Sequence, residues 1–144
     1  MKFEVGIWDF EFNSFKMFTF RKEERLCSNK IIGDLFSEGR SVHVNQFRIF
    51  WKLSDHSTGY PARVAISVPV KHIKKANKRN LVKRRIREAY RKNKHLLYDQ
   101  LKKRNMRIAF VICYFSNEIE DYNNIESKIV ISLQSLIRDL EKNS

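Results

Sequence analysis

The chain is poor in the residues that break, cross-link or anchor a fold. Its 144 residues include four glycines, two prolines and two cysteines. So few glycines leave no Gly-rich loop able to cradle a nucleotide phosphate. Cys27 and Cys113 lie far apart and make no CxxC pair, which argues against a disulfide framework or a clustered zinc site. Each reads as a small packing residue in a reduced protein. No apolar run approaches the roughly 20 residues that span a bilayer. Nor does a basic start followed by an apolar stretch mark the chain for secretion. The expectation is a cytoplasmic protein with no membrane partner. A length of 144 residues with 42% hydrophobic content suffices for one domain with a real core.

Catalytic groupings are also missing. His43, His56, His72 and His95 have no metal-ligand spacing, and none pairs with a Cys or Ser nucleophile. Glu118, Glu120 and Asp121 come nearest to a carboxylate cluster, and their composition reads as a solvated turn. No catalytic residue, protein-held metal or cofactor is assigned.

Acid is scarce relative to base: 16 Asp and Glu stand against 29 Lys and Arg, a formal +13. Sixteen of the bases fall between Lys71 and Arg107, opposed there by Glu88 and Asp99 alone. That window carries +14, so the remainder of the chain sums to −1. A block of this density repels itself unless it meets a polyanion, and a nucleic-acid backbone is the usual one.

Hydrophobic periodicity organises the rest. Met1 to Thr19 crowds Phe3, Trp8, Phe10, Phe12, Phe15 and Phe18 into a stretch with few helix or turn signals. It reads as an N-terminal extension, with a short edge strand around Trp8, Phe10 and Phe12 or a start assigned ahead of Met17 as the alternatives. From Lys22 to Glu38 the spacing predicts a helix, with Ser28 or Asn29 as its cap and Gly39 as its stop. Ser41 to Leu53 alternates as one strand, placing Phe47, Ile49, Trp51 and Leu53 inward and Arg48, Phe50 and Lys52 outward. Ala62 to Val68 is a second strand, ended by Pro69. Asn77 caps a long helix to about Leu97, Arg107 to Phe115 is a strand buried on both faces, and Asn123 or Asn124 caps a last helix. The order implies an α+β sandwich over residues 20–144.

On the long helix, residues three and four apart share a face. Asn80, Lys83, Arg84, Arg87, Arg91 and Lys94 make one polar strip, opposite Val82, Ile86, Ala89, Tyr90 and Leu97. Lys71, Lys74, Lys75 and Lys78 extend the patch around the helix start, where the dipole favours phosphate. A membrane-surface helix is the rival reading, but the apolar stripe is narrow and lies between two strands, as in a docked helix. Phe50, between Arg48 and Lys52, has two readings: a stacking platform for single-stranded nucleic acid, or a ring covered by the first helix.

The run Arg79-Asn80-Leu81-Val82-Lys83-Arg84-Arg85-Ile86-Arg87-Glu88-Ala89-Tyr90 resembles the signature of the bacterial ribonuclease P protein family, Arg-Asn-Arg followed by spaced bases and an aromatic. The resemblance extends from about Phe20 to Glu141, taking in Arg25-Leu26, the Leu35-Phe36 to Gly39 helix end and the strand with Phe47. The third signature residue is Leu81 here, a departure. The resemblance implies a mixed sheet of about four strands, with the basic helix in a left-handed βαβ crossover against the usual hand. It further implies a ribonucleoprotein partner, the catalytic RNA, whose Mg²⁺ ions remove the 5′ leader of precursor tRNA. Arg79, Asn80, Lys83, Arg84 and Arg87 would bind that RNA, with Lys71, Lys74, Lys78 and Arg91 beside them. Phe36, Phe47 and Phe50, with Arg48 and Lys52, would lie at the cleft for the leader. A non-enzymatic RNA-binding module of ribosomal or chaperone type is the alternative.

Overall fold

The computed structural model describes residues 20–55 and 59–143. The aromatic extension, with its candidate edge strand and alternative start, lies outside them. A four-stranded mixed sheet runs in the order β1-β2-β4-β3, with β1 Arg40–Val44, β2 Phe47–Leu53, β3 Ala62–Ser67 and β4 Ile108–Tyr114. β1 and β2 form an antiparallel hairpin, β2 pairs antiparallel with β4, and β3 lies parallel to β4. Parallel neighbours need a long crossover. Here it contains two helices, α2 (Ala76–Asn93) and α3 (His95–Lys103).

The two sheet faces are covered unequally. On one, α2 packs against the last helix, α4 (Tyr122–Lys142), over a large core that includes Phe47, Trp51, Phe110 and Tyr114. The other carries a single short helix, α1 (Asn29–Glu38), over a small core of Leu26, Leu35, Ala109, Val111 and Cys113. β4 is buried along its whole length because it is central and has packing on both sides.

Several elements depart from the periodicity. Residues 22–38 are not one helix: Lys22–Glu24 form a 3₁₀ turn, Arg25 bridges to Val64, and α1 starts only at Asn29. Ser28 does cap α1, accepting a hydrogen bond from the Ile31 amide at 3.3 Å. Gly39 ends it without a left-handed backbone (φ −72°). Glycine is needed there because a Cβ would meet the Leu35 carbonyl oxygen at 2.5 Å. The single strand expected from Ser41 is the β1–β2 hairpin, turned at Asn45, whose φ of 51° is in the left-handed region that Asn tolerates. Leu53, expected inward, is 59% exposed because β2 runs past the core.

α2 begins after Lys75 rather than Asn77, and its end at Asn93 precedes a separate α3 that periodicity did not isolate. Asp121, not Asn123 or Asn124, caps α4, accepting from the Asn124 amide at 2.8 Å. Cys113 is a packing residue, whereas Cys27 is exposed.

Candidate nucleic-acid interface

Helix α2 divides its bases by face and by end. Val82, Ile86, Ala89 and Tyr90 are buried against the core. Arg84, Arg87 and Asn80 are exposed, and Lys83 is half-buried on the same side. Among the described residues, Lys83, Arg84 and Arg87 make no ion pair. Arg91 is different: its guanidinium lies 2.7 Å from Glu88 and holds that carboxyl below its usual range. Arg85, left off the polar strip, donates to the Glu120 carbonyl at 2.6 Å and ties α2 to the approach of α4. Leu81 is half-buried.

Lys94, placed on the polar strip by periodicity, is the clearest correction. It sits at the α2–α3 break, is fully buried, and forms an ion pair with the equally buried Glu24. The same Glu24 oxygen accepts from the Tyr98 hydroxyl, and its other oxygen accepts from the Arg21 amide at 2.8 Å. The rings of Phe20, Tyr60 and Tyr98 surround the ammonium within 6.0 Å. Burial pushes the Lys94 amine below its ordinary range, and the hydrogen bond it donates to Glu24 opposes that drop.

The start of α2 is charged in the unfavourable sense. Lys71, Lys74, Lys75 and Lys78 are all exposed around an N-terminus whose cap residue, Lys75, makes no side-chain capping bond. Cations at the positive end of a helix dipole cost energy that a bound anion would relieve. Arg79 is spent locally: its Nη1 donates to the carbonyls of Ile73 at 3.1 Å and Lys74 at 2.8 Å, shaping the loop before the helix.

Between α2 and α1, over β3, lies a groove of about 310 Å³. Its walls include Lys83 and Arg87 from α2, Ile32 from α1, and Arg25, a cation that helical spacing on α2 does not bring to the site. On the α1 side of the sheet, Phe50 is partly buried and its ring lies 5.1 Å from that of Phe36, itself 45% exposed. α1 thus covers Phe50 in part, with another aromatic that itself reaches solvent. Phe47 does not belong to this surface. It is fully buried on the opposite face, edge-on to Tyr114 at 5.3 Å, and out of a ligand's reach. Lys52 is engaged by Glu38 at 3.3 Å, a surface pair worth at most about 1 kcal/mol.

Arg48 stands over two rings, 5.9 Å from Phe50 and 5.6 Å from Phe115. Phe115 in turn meets His72 edge-on at 5.6 Å. Phe115 and His72 were missed because a strand's alternation does not reveal its neighbours. Only the β2–β4 register, Arg48 opposite Cys113, brings Phe115 diagonally against Arg48. Among the described residues no group of three or more His, Cys, Asp or Glu could hold a metal ion. Nor, among them, is any helix long and apolar enough to cross a membrane.

Fold and charge define the class: a small α+β domain with a strip of exposed cations along one helix and its N-terminal loop. Comparison with known proteins makes the class specific. A family model for ribonuclease P matches residues 20–129. The ribonuclease P protein component of Porphyromonas gingivalis is 38% identical over 117 residues, covering 81% of this chain and 85% of that one. Among solved structures, the RNase P protein from Thermotoga maritima matches with a TM-score of 0.61 at 25% identity, covering 77% of this chain and 96% of that one. The Staphylococcus aureus RNase P protein shares the fold, with a TM-score of 0.55 at 20% identity over 77% of this chain and 93% of that one. The chain belongs to the ribonuclease P protein family.

Proposed function

We propose that the chain is the protein component of a cytoplasmic ribonuclease P ribonucleoprotein, which removes the 5′ leader from precursor tRNA. In this reading the RNA subunit and the Mg²⁺ it holds carry out the hydrolysis, and the protein binds and positions RNA. Arg84, Arg87, Lys83 and Asn80 grip the RNA subunit; Arg forks suit phosphate oxygens in pairs, and Lys supplies point charge. Lys71, Lys74 and Lys78 extend that contact, and Arg79 and Arg91 act mainly by holding the loop and the helix in shape. The single-stranded leader lies on the α1 side of the sheet, its bases against Phe36 and Phe50 and its phosphates near Arg48 and Lys52.

The observation that carries this reading is the set of cations Lys83, Arg84 and Arg87, which make no ion pair among the described residues, on an otherwise docked helix. A solvated face would balance such charge with nearby acid, and α2 contributes only Glu88, already taken by Arg91. The test is reconstitution: the protein, its matched ribonuclease P RNA and precursor tRNA at low Mg²⁺. Leader removal is expected to accelerate when protein is added. Tight RNA binding without any acceleration would instead identify a non-enzymatic RNA-binding module.

A further inference from the structure

The rings on the α1 side of the sheet do not stop at Phe50. Phe36 of α1, Phe50 and Arg48 of β2, Phe115 just past β4 and His72 of the β3–α2 loop follow one another at 5.1 to 5.9 Å. The backbone fixes this row. The Phe115 amide donates to the Gln46 carbonyl at 2.7 Å, continuing the β2–β4 ladder one step beyond the strand. Period 2 then puts Phe115 on the face of Cys113 and Val111, and it packs against that small core with Phe50.

His72 is also placed from two sides. Its amide donates to the Pro69 carbonyl at 3.1 Å, and its Nδ1 lies 3.0 Å from Asn117 Oδ1. These bonds hold the loop carrying Lys71 and Lys74 beside the Phe115 ring. Phe115 is only partly buried, and Arg48 makes no ion pair among the described residues. A guanidinium 5.6 Å from a ring centroid is at the outer edge of cation–π range. It is weakly held there and free to turn toward a phosphate when a base takes its place.

We propose that Phe115, between Arg48 and His72, is a second base-stacking position for single-stranded RNA, continuing the Phe36–Phe50 pair toward the Lys71–Lys74 loop. The proposal rests on the leader-binding reading above and lengthens it: a leader crossing Phe50 runs on past Phe115 to the basic start of α2. Base stacking on an aromatic tolerates any sequence, because every base has a flat face. This end of the surface therefore senses leader length more than leader sequence.

The experiment uses the reconstituted holoenzyme and precursor tRNAs whose leaders grow one nucleotide at a time. Wild-type affinity is expected to climb in two steps as the leader reaches first Phe50 and then Phe115. Phe115→Ala should erase the later step, a loss of about five-fold or more, while Phe115→Trp keeps it. Phe115→Leu, which retains apolar bulk without a flat face, covers the case in which the alanine variant fails to fold, and should lose the same step. If Phe115→Leu and wild type climb alike while Phe50→Ala still loses the early step, Phe115 is a packing residue and the proposal is wrong. If Phe50→Ala loses nothing either, the leader does not lie on this face and the underlying reading falls as well.

Discussion

Lys94 and Lys83 belong to one basic segment and do opposite things. Lys94 is fully buried, and its charge is spent on Glu24, which ties the N-terminal segment at Arg21 to the junction of α2 and α3. Lys83 and Arg87 line the groove, Arg84 faces solvent, and none of the three makes an ion pair among the described residues. The lesson is that a charge count cannot separate scaffold from binding surface. Burying an ion is costly, so a buried lysine persists only with a partner in good geometry. An exposed one costs little and remains available to a ligand.

Breaking the buried pair should give the largest effect. Glu24→Gln leaves the Lys94 ammonium uncompensated, and a loss of about 3–5 kcal/mol is expected in urea denaturation. Replacing both partners, Glu24→Leu with Lys94→Met, should recover much of that loss, since a buried pair often contributes little net stability over apolar packing. If the double variant is as unstable as the single one, Glu24 matters through Tyr98 and the Arg21 amide more than through the charge.

The exposed end should respond in the opposite way. Arg84→Ala with Arg87→Ala is expected to shift stability by no more than about 0.5 kcal/mol per site, while affinity for ribonuclease P RNA in a filter-binding titration falls several-fold. Unfolding of that variant would mean the faces of α2 are misassigned.

The smallest effect extends the contrast from lysines to cysteines. Burial pushes the Cys113 thiol up to about 12, and the side chain is 1% exposed. Cys27 is exposed on the wall of the groove. A colourless-to-yellow disulfide reagent at neutral pH should therefore titrate one thiol in the native protein and both after denaturation. Two thiols reacting natively would show that the small core beneath α1 opens readily.

Much of this was legible in the sequence, and the misses share one physical cause. The core face of α2, the buried β4 and the strip of Arg84 and Arg87 follow from spacing alone, because a helix or strand presents its own residues at fixed intervals. What spacing cannot supply is the partner. Lys94 satisfies the polar period of α2, and only Glu24, 70 residues earlier, turns it inward. Phe47 and Phe50 looked equivalent as aromatics near a cleft, until the sheet put one under α4 and the other under α1. Phe115 and His72 joined the candidate surface through strand register and a loop contact. The split of residues 22–38 came from Arg25 pairing with Val64, a tertiary demand that overrides local helical spacing.

On the proposed function, the exposed strip of α2 binds RNA through phosphate neutralisation while the buried end supports the fold. The salt dependence of binding to ribonuclease P RNA tests it most directly. Each phosphate contact adds about 0.7 to 0.9 to the slope of log affinity against log salt. The Arg84→Ala, Arg87→Ala protein should lose about 1.4 to 1.8 from that slope, and the Glu24→Leu, Lys94→Met protein should keep the wild-type value. Equal slopes for wild type and the strip variant would contradict the account.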